Sequence, residues 1–404
     1  MSAATAVPFS AGRVTRGSTL PFLGLIDCVL VGDSGLFEFD GAIPREHAAS
    51  AWTWMKRDLA PDLFDLAVLE DDPEAVGALK ETLPELLARA DKAIAGAGTS
   101  HDAERRLRMQ LGGQNASRHL PQVVKALRSR KLLEKAQGLG AAINAMQDER
   151  QLADALRAMP LSDQHLAALL MQALVGQVAN PTVLVTAATA VAGSETEIGV
   201  TRAGFAPLID AILAHAQDQV DLLMQVGPFA DVDLLCRALD RFNRLHRAVH
   251  GLLDLDQKGR WKMIVGRLTK AASDRIAPRM RSVLFDLNRA LRRQREGVPD
   301  RLDSDQILVA LGSIYMLKTV REARDSLALN AVLDKMWSQV GQALEIHIDR
   351  NLELLRKDPD DDITAARLDA AIKMGEVRIG TEYAEVMRRA RDSALRKPEP
   401  RPEA

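Results

Sequence analysis

Cysteine is scarce in this chain, with only two residues, Cys28 and Cys236, among 404. The two lie far apart, and neither belongs to a Cys-x-x-Cys pair. A secreted protein of this length that depended on disulfides would usually carry more cysteine. We therefore expect a reducing environment and a cytoplasmic protein.

Long hydrophobic runs are missing too. No stretch reaches the roughly 18 apolar residues that a membrane-spanning helix requires, and the longest one, residues 20–31, is broken by Pro21, Gly24 and Asp27. Aromatic residues make up only 4% of the chain, so few side chains can stack on nucleic-acid bases. The formal net charge of −2 predicts no partner by itself. We expect no transmembrane segment, and we rank nucleic acid and anionic membranes below proteins as partners.

The motifs of nucleotide and zinc chemistry are absent or incomplete. No Gly-Lys dipeptide occurs, so the sequence has no P-loop. His246 and His250 are four residues apart and would share a helix face, but no glutamate lies between them to act as a general base. Arg241, Arg244 and Arg247 would also repel a cation nearby. We interpret the two histidines as part of a solvated or half-buried helix face, and we predict no metal and no cofactor.

One acidic cluster has the spacing of a calcium loop. Four aspartates take the places of its first, third, fifth and twelfth residues: Asp358, Asp360, Asp362 and Asp369. Ile363 stands where the loop needs a glycine, and Asp369 is shorter than the usual glutamate. The aspartates are better explained as caps of a helix that begins near Ile363, where they meet the positive end of the helix dipole.

The tetrapeptide Gly32-Asp33-Ser34-Gly35 has the form of a serine nucleophile motif. In chymotrypsin-like proteases the histidine partner lies upstream, but the 31 residues before Gly32 contain no histidine. Lipases of the Gly-Asp-Ser type need an Asp-x-x-His, and none of the eight histidines has an aspartate three residues before it. We therefore interpret the tetrapeptide as a polar turn and predict no catalytic residue.

Extended structure is predicted only near the N-terminus. Cys28–Val31 is apolar and β-branched, residues 32–35 are turn formers, and Leu36–Phe39 alternates between apolar and polar positions. This pattern predicts a short β-hairpin. Because an isolated hairpin is marginally stable in water, it must pack against helices or another chain.

From about residue 46 the pattern is helical. Alanine, leucine and arginine are abundant, as is typical of GC-rich bacterial genomes, and apolar residues recur three and four positions apart. The clearest amphipathic helix covers 329–357, and a second apolar stripe runs through 368–390. We predict an all-α fold, either a multi-helix bundle or an irregular α-solenoid of helical hairpins, with the short N-terminal extended or β-hairpin segment. No fixed-period repeat or motif assigns the chain to a family.

These patterns divide the chain into six segments. They are a flexible N-terminal arm over 1–17, the extended segment over 18–45, an N-terminal helical domain over 46–228, a basic helical domain over 229–357, a C-terminal helix over 358–395 and a disordered tail over 396–404. The first 20 residues also contain Arg13 and Arg16 and no acid. Organellar transit peptides and weak secretory signals share this pattern, so a targeting signal stays an alternative to a flexible arm.

Charge is segregated along the sequence. Residues 58–85 hold nine acids and one lysine, a net charge of −8, whereas residues 256–295 hold twelve basic residues and three acids, a net charge of +9. Just before the basic segment, four arginines are spaced so that they share one side of a helix: Arg237, Arg241, Arg244 and Arg247. Such a row repels itself unless an anion or an acidic surface lies across it.

Three interpretations of this charge stay open: pairing with acids elsewhere in the fold, contact with an acidic protein or a second copy, and contact with nucleic acid or an anionic membrane. The candidate contact residues are Arg237, Arg241, Arg244, Arg247, Arg289, Arg292 and Arg293. We predict a non-enzymatic helical scaffold, adaptor or assembly subunit that acts through charged helix surfaces. The alternatives are an all-α enzyme with a dispersed site, and a binder of anionic surfaces through residues 237–295.

Overall fold

The structure, a computed structural model, describes six ranges of the chain: 21–32, 35–79, 81–146, 148–223, 232–294 and 300–396. The predicted arm and all but the first residue of the predicted tail lie outside the described residues, as do Asp33 and Ser34 of the tetrapeptide. Within the described ranges the fold is all-α, as predicted, and the two strands that occur there have two residues each.

The chain divides into two compact units. The first comprises Met1–Asp221 and Arg244–Val265, and the second comprises Leu222–Asn243 and Gly266–Ala404. The chain first passes from the first unit to the second at residue 222. Residues 244–265 nevertheless belong to the first unit, an assignment that depends on contacts between residues distant in sequence.

Twelve α-helices lie in the first unit within the described ranges. They are α1 (Arg45–Trp54), α2 (Leu66–Leu69), α3 (Pro73–Ala78), α4 (Leu83–Ala97), α5 (His101–Gln110), α6 (Gln114–Arg128), α7 (Arg130–Ile143), α8 (Glu149–Arg157), α9 (Gln164–Val175), α10 (Thr182–Ala192), α11 (Glu197–Arg202) and α12 (Ala206–Leu222). A π-helical turn, Met55–Leu59, continues α1. Short 3-10 turns cover Pro21–Leu25, Asp27–Val29 and Pro61–Leu63.

Besides α12, whose last residue, Leu222, belongs to the second unit, two helices have residues in both units, α13 (Val232–His250) and α14 (Arg260–Leu291). The remaining helices belong to the second unit. They are α15 (Ser304–Glu322), α16 (Asn330–Lys357), α17 (Asp362–Arg378) and α18 (Thr381–Ala394), with a 3-10 turn at Arg324–Ser326.

Polar side chains cap many of these helices, as the sequence pattern leads us to expect. Each accepts a hydrogen bond from a backbone N–H in the first turn, which satisfies donors that the helix itself leaves unpaired. The capping residues are Asp65, Asp72, Ser100, Asp148, Asp163, Thr196, Asp303 and Asp361.

The N-terminal extended segment is present, but its two strands are parallel. Leu30–Val31 (β1) pairs with Ile43–Pro44 (β2), with Leu30 opposite Ile43. Residues 36–39, which we predicted as the second strand of a hairpin, are not in a strand.

The helices hold the chain between the two strands. The side-chain amide of Gln217 on α12 donates to the carbonyl oxygen of Phe37 at 3.0 Å. Gly41 has a φ of +82° and approaches α9 so closely that a Cβ would lie 2.3 Å from the carbonyl carbon of Ala168. Because helices bind this backbone, it does not fold back on β1, and glycine is required at residue 41.

Aromatic packing fixes the N-terminal segment onto α1. The rings of Phe22 and Trp52 are stacked with centroids 4.1 Å apart, and Phe64 meets Trp52 edge-on at 5.4 Å. The indole Nε1 of Trp52 donates to Asp71 Oδ1 at 2.6 Å. Trp52 and Phe22 are fully buried. The extended segment therefore packs against helices, as its marginal stability requires.

Helix α16 follows the prediction for 329–357 closely. All seven residues of its apolar stripe are buried: Leu333, Met336, Val340, Leu344, Ile348, Leu352 and Leu355.

The predicted C-terminal helix over 358–395 instead consists of α17 and α18, separated by Gly380 with a φ of +138°. Leu368 and Ile372 of the second stripe are buried, whereas Ile379 and Val386 are exposed. A side chain at residue 380 would be strained in this conformation, so the helix ends there.

Two guanidinium groups pack on Trp337 in the second unit. The Arg378 guanidinium carbon lies 3.6 Å from the indole centroid, and that of Arg321 lies 4.3 Å from it. Arg378 also donates to the carbonyl oxygen of Trp337 at 2.6 Å. Burial and the charge of Arg321 lower the pKa of Arg378 to about 10, so it stays charged at neutral pH. The indole is therefore fixed by cation–π contacts.

Candidate functional site

The predicted arginine row lies along one side of α13. Arg237, Arg244 and Arg247 are exposed, and Arg241 is half-buried. Arg237 pairs with Asp233, one helical turn earlier, at 2.9 Å. Part of the row is therefore compensated within the helix, and an exposed pair of this kind contributes little to stability.

The other three predicted contact residues separate into two environments. Arg289, in the last turn of α14, and Arg292 are exposed. Arg293 is half-buried, with its guanidinium 3.3 Å from Asp300 and 3.6 Å from Asp361. Arg293 therefore belongs to an ion-pair network within the second unit, whereas Arg289 and Arg292 face solvent.

That network contains a buried arginine that the sequence did not reveal. Arg367 on α17 is fully buried, and it donates to Asp300 Oδ1 at 2.8 Å. Burial raises the pKa of Asp300, but the backbone N–H of Gln294 and the guanidinium groups of Arg367 and Arg293 outweigh burial and hold this pKa below its ordinary value. Two further guanidinium nitrogens of Arg367, Nε and Nη1, have no hydrogen-bond partner among the described residues. Asp300 therefore compensates the buried positive charge of Arg367.

Of the four aspartates with calcium-loop spacing, Asp362 is the first residue of a helix and Asp369 forms an ion pair, whereas the helix cap is their neighbour Asp361. Helix α17 begins at Asp362, and its N-cap is Asp361, whose Oδ1 accepts from the Thr364 N–H at 3.0 Å. Asp369 pairs with Arg391 on α18. Among the described residues, no three histidine, cysteine, aspartate or glutamate side chains are arranged to hold a metal ion.

Exposed residues that sequence analysis missed extend the basic surface of α14. Arg281 is exposed, and Phe285 keeps 65% of its surface exposed although it is large and apolar. Arg281, Phe285 and Arg289 are four residues apart and share one face of α14, and Arg292 follows the last residue of that helix; we call these four residues the basic stripe. Within the described ranges, none of its three arginines makes an ion pair. The four-residue spacing from Arg281 to Phe285 and from Phe285 to Arg289 could have indicated this shared helix face in the sequence.

The acidic segment 58–85 finds part of its compensation locally. Asp62 pairs with Arg89 at 2.6 Å, and Asp71 pairs with Lys56 at 2.9 Å. Asp58 pairs with its neighbour Arg57 at 2.6 Å. These three pairs lie within residues 56–89 of the first unit.

Other acids of this segment face solvent beside exposed leucines. Leu66 is 70% exposed and Leu69 is 42% exposed. Glu70, Asp72 and Glu74 follow them and are exposed. We call these five residues the acidic patch. Glu70 and Glu74 make no ion pair with any described residue. The acidic patch therefore combines exposed apolar surface with uncompensated negative charge.

His246 and His250 stack on one another in the first unit. Their ring centroids are 5.3 Å apart, and His246 is buried. Burial, together with His250 and Lys262, lowers the pKa of His246 to about 4. His246 is therefore neutral at physiological pH, and it is buried, whereas His250 is exposed.

The first unit also contains a cavity of about 140 Å³. It lies between residues 31–47, the N-terminal part of α6 and the C-terminal part of α12. The polar side chains that line it include His47, His119, Gln217 and Asp218. Gly32 and Gly35 of the tetrapeptide line it as well, and the Gly32 N–H donates to Asp218 Oδ1 at 2.9 Å.

Comparison with known proteins does not identify a relative. No protein-family model, curated protein or solved structure matches the chain. In the described part of the chain, no helix is both long and apolar enough to cross a lipid bilayer. The function must therefore be inferred from the surfaces and the cavity themselves.

Proposed function

We propose that the protein is a non-enzymatic helical assembly subunit, and that the basic stripe of one copy binds the acidic patch of a second copy. The observation that carries this proposal is Phe285, which is 65% exposed between arginines that make no ion pair with any described residue. Arginine and aromatic residues are enriched in the buried centres of protein interfaces.

An apolar ring in water and a row of like charges both favour a partner. Burying Phe285 would remove apolar area from water, which is the main favourable contribution to association. Arg281, Arg289 and Arg292 repel one another across the helix face, and opposing carboxylates would remove this repulsion. A suitable partner therefore presents apolar side chains surrounded by acids.

The acidic patch presents that combination on the same chain. Leu66 and Leu69 supply apolar contact area for Phe285, and Glu70, Asp72 and Glu74 supply the carboxylates. Charge complementarity of this kind governs which partner is chosen and how fast it binds more than it governs affinity. Each surface consists of only four or five residues, and small interfaces are weak and transient. We therefore expect association that depends on protein concentration and salt.

Sedimentation velocity of the whole chain tests the proposal. Raising the salt concentration from about 0.01 M to about 1 M shortens the Debye length from roughly 30 Å to roughly 3 Å. We expect the chain to form dimers or larger species at low salt and to be monomeric at high salt. Reversing either surface, by Arg289→Glu with Arg292→Glu or by Glu70→Arg with Glu74→Arg, should abolish association at low salt.

Mixing the two variants supplies the decisive control. Each variant retains the surface that the other has lost, so an equimolar mixture should associate although neither variant does alone. The matched control is Arg105→Glu with Arg106→Glu, two exposed arginines of α5 without an ion pair among the described residues, and it should associate normally.

A chain that stays monomeric at low salt would contradict the proposal. If that monomer binds phosphatidylserine vesicles or single-stranded DNA through the basic stripe, the anionic-surface interpretation replaces it. Association that survives both charge reversals would also contradict it, because another surface would then be responsible.

A further inference from the structure

The cavity in the first unit has an excess of negative charge and of hydrogen-bond acceptors. Its described lining includes the carboxylates of Glu38, Glu46 and Asp218 and no lysine or arginine. Arg118 compensates Glu38 at 2.8 Å. An anion would meet repulsion here, whereas a cation would be attracted.

Gln217 contributes an acceptor that has no partner in the described structure. Its side chain is 5% exposed, and its Nε2 donates to the Phe37 carbonyl oxygen at 3.0 Å. Its Oε1 is buried and accepts no hydrogen bond. A buried polar atom without a partner is unfavourable by about 1–3 kcal/mol, so a donor in the cavity would be bound favourably.

The histidine pair adds a further acceptor. His119 Nδ1 lies 2.9 Å from the carbonyl oxygen of Asn115, which can only accept, so Nδ1 carries the proton and Nε2 carries a lone pair. His47 Nδ1 lies 3.1 Å from His119 Nδ1 and therefore accepts. The proton of His47 is then on Nε2, which lies 3.3 Å from Glu46 Oε1.

We propose that this cavity binds a small organic cation that carries several N–H donors, a primary ammonium or a guanidinium ion. Its volume of about 140 Å³ admits a molecule of a few non-hydrogen atoms. The ligand would donate to Gln217 Oε1 and lie beside the Asp218 carboxylate. The observations that carry this site are independent of the basic stripe and the acidic patch.

Isothermal titration calorimetry with the full chain tests the site, with ethylammonium and methylguanidinium as probes. We expect saturable binding with a Kd of roughly millimolar, because so few atoms limit the affinity. Tetramethylammonium has the charge but no N–H, and acetate has the opposite charge, so neither should bind. Nα-acetyl-lysine methylamide separates the two sources of an ammonium group: binding indicates a lysine side chain of a partner, and exclusion indicates a free amine.

Gln217→Met removes the acceptor with little change of shape, and it should weaken binding about ten-fold or more. Gln172→Met is the matched control, because Gln172 is a buried glutamine whose amide has no partner among the described residues and does not line the cavity. Asp218→Asn keeps an acceptor for the Gly32 N–H and removes the charge, so it should weaken binding while far-UV circular dichroism stays unchanged.

Two results would overturn the proposal. The first is that neither N–H probe shows saturable binding at about 50 mM, a concentration well above the Kd expected for so small a ligand. The cavity would then hold only water. Equal binding of tetramethylammonium, or unchanged affinity in both the Gln217 and Asp218 variants, would mean that the probes bind elsewhere.

Discussion

The two units differ in the polar side chains that they bury. In the first unit these are amide and imidazole side chains, namely His119, Gln172, His215, Gln217 and His246. The second unit also buries uncharged groups, but it adds a full charge on Arg367, which Asp300 compensates. The first unit therefore buries one histidine, His246, whose pKa is lowered to about 4, whereas the second unit buries a cation together with its paired carboxylate.

This difference predicts how each unit responds to acid. His246 has a folded pKa of about 4, below its ordinary value of 6.5, so the unfolded chain binds its proton first. Its contribution to stability is complete above pH 6.5 and is lost as the pH falls towards 4. Asp300 and Asp361 also have lowered pKa values, so their contribution is lost at lower pH, below the ordinary value of 3.8. His347 of the second unit has a lowered pKa too, because of burial, Arg350 and Arg367, but it is only half-buried.

The largest expected effect comes from removing the compensating charge in the second unit. Asp300→Ala leaves the guanidinium of Arg367 buried without its carboxylate, which should lower the free energy of unfolding by about 3–5 kcal/mol. Urea unfolding measures the loss, and hydrogen exchange in α17 assigns it to the second unit. Glu353→Ala, an exposed acid on α16 without an ion pair, should change stability by less than about 0.5 kcal/mol. If Asp300→Ala lowers the free energy of unfolding no more than Glu353→Ala does, the ion-pair network does not stabilise the second unit.

A somewhat smaller effect is expected from acid titration of the first unit. Between pH 6.5 and pH 4 the buried His246 should reduce stability by about 3 kcal/mol, given its folded pKa of about 4 and 1.36 kcal/mol per pKa unit. His246→Leu should remove most of this dependence, as measured by hydrogen exchange in α9 and α12 at each pH. His101→Leu serves as the control, because His101 has 87% of its side chain exposed. If the stability of His246→Leu still falls between pH 6.5 and pH 4, another group causes the pH dependence.

The smallest expected effect distinguishes two buried glutamines of the first unit. Both side-chain atoms of Gln172 lack hydrogen-bond partners among the described residues, so Gln172→Met should raise the free energy of unfolding by about 1 kcal/mol. Gln217→Met removes the hydrogen bond to Phe37 and should lower it by about 1 kcal/mol. Thermal unfolding of both variants measures whether each substitution raises or lowers stability. If both substitutions change stability in the same direction, packing and not hydrogen bonding determines the change.

Local features were predictable from the sequence. The buried stripe of α16 follows from residues three and four positions apart, and the aspartate caps follow from short-range hydrogen bonds. The predicted helix start near Ile363 lies at Asp362, and its cap is Asp361, which adjoins two of the aspartates that we expected to cap it. These elements depend on neighbours within one or two helical turns, so one sequence suffices to find them.

Features that depend on distant residues were not predictable. Arg292 and Arg293 are adjacent and chemically identical, yet only Arg293 meets Asp300 and Asp361, which lie further along the chain. Likewise, the parallel pairing of β1 and β2 depends on how α9 and α12 hold the segment between them. The cavity joins three separate stretches of the first unit, and no local pattern indicates such an assembly.

The position of Trp337 has a practical consequence for separating the two units by spectroscopy. Of the four tryptophans, Trp52, Trp54 and Trp261 belong to the first unit, so Trp337 is the single indole fluorophore of the second. Contact with two cations on its ring makes its emission sensitive to any loosening of α15, α16 or α17. Replacing the other three indoles with phenylalanine would leave a chain whose fluorescence reports the second unit alone.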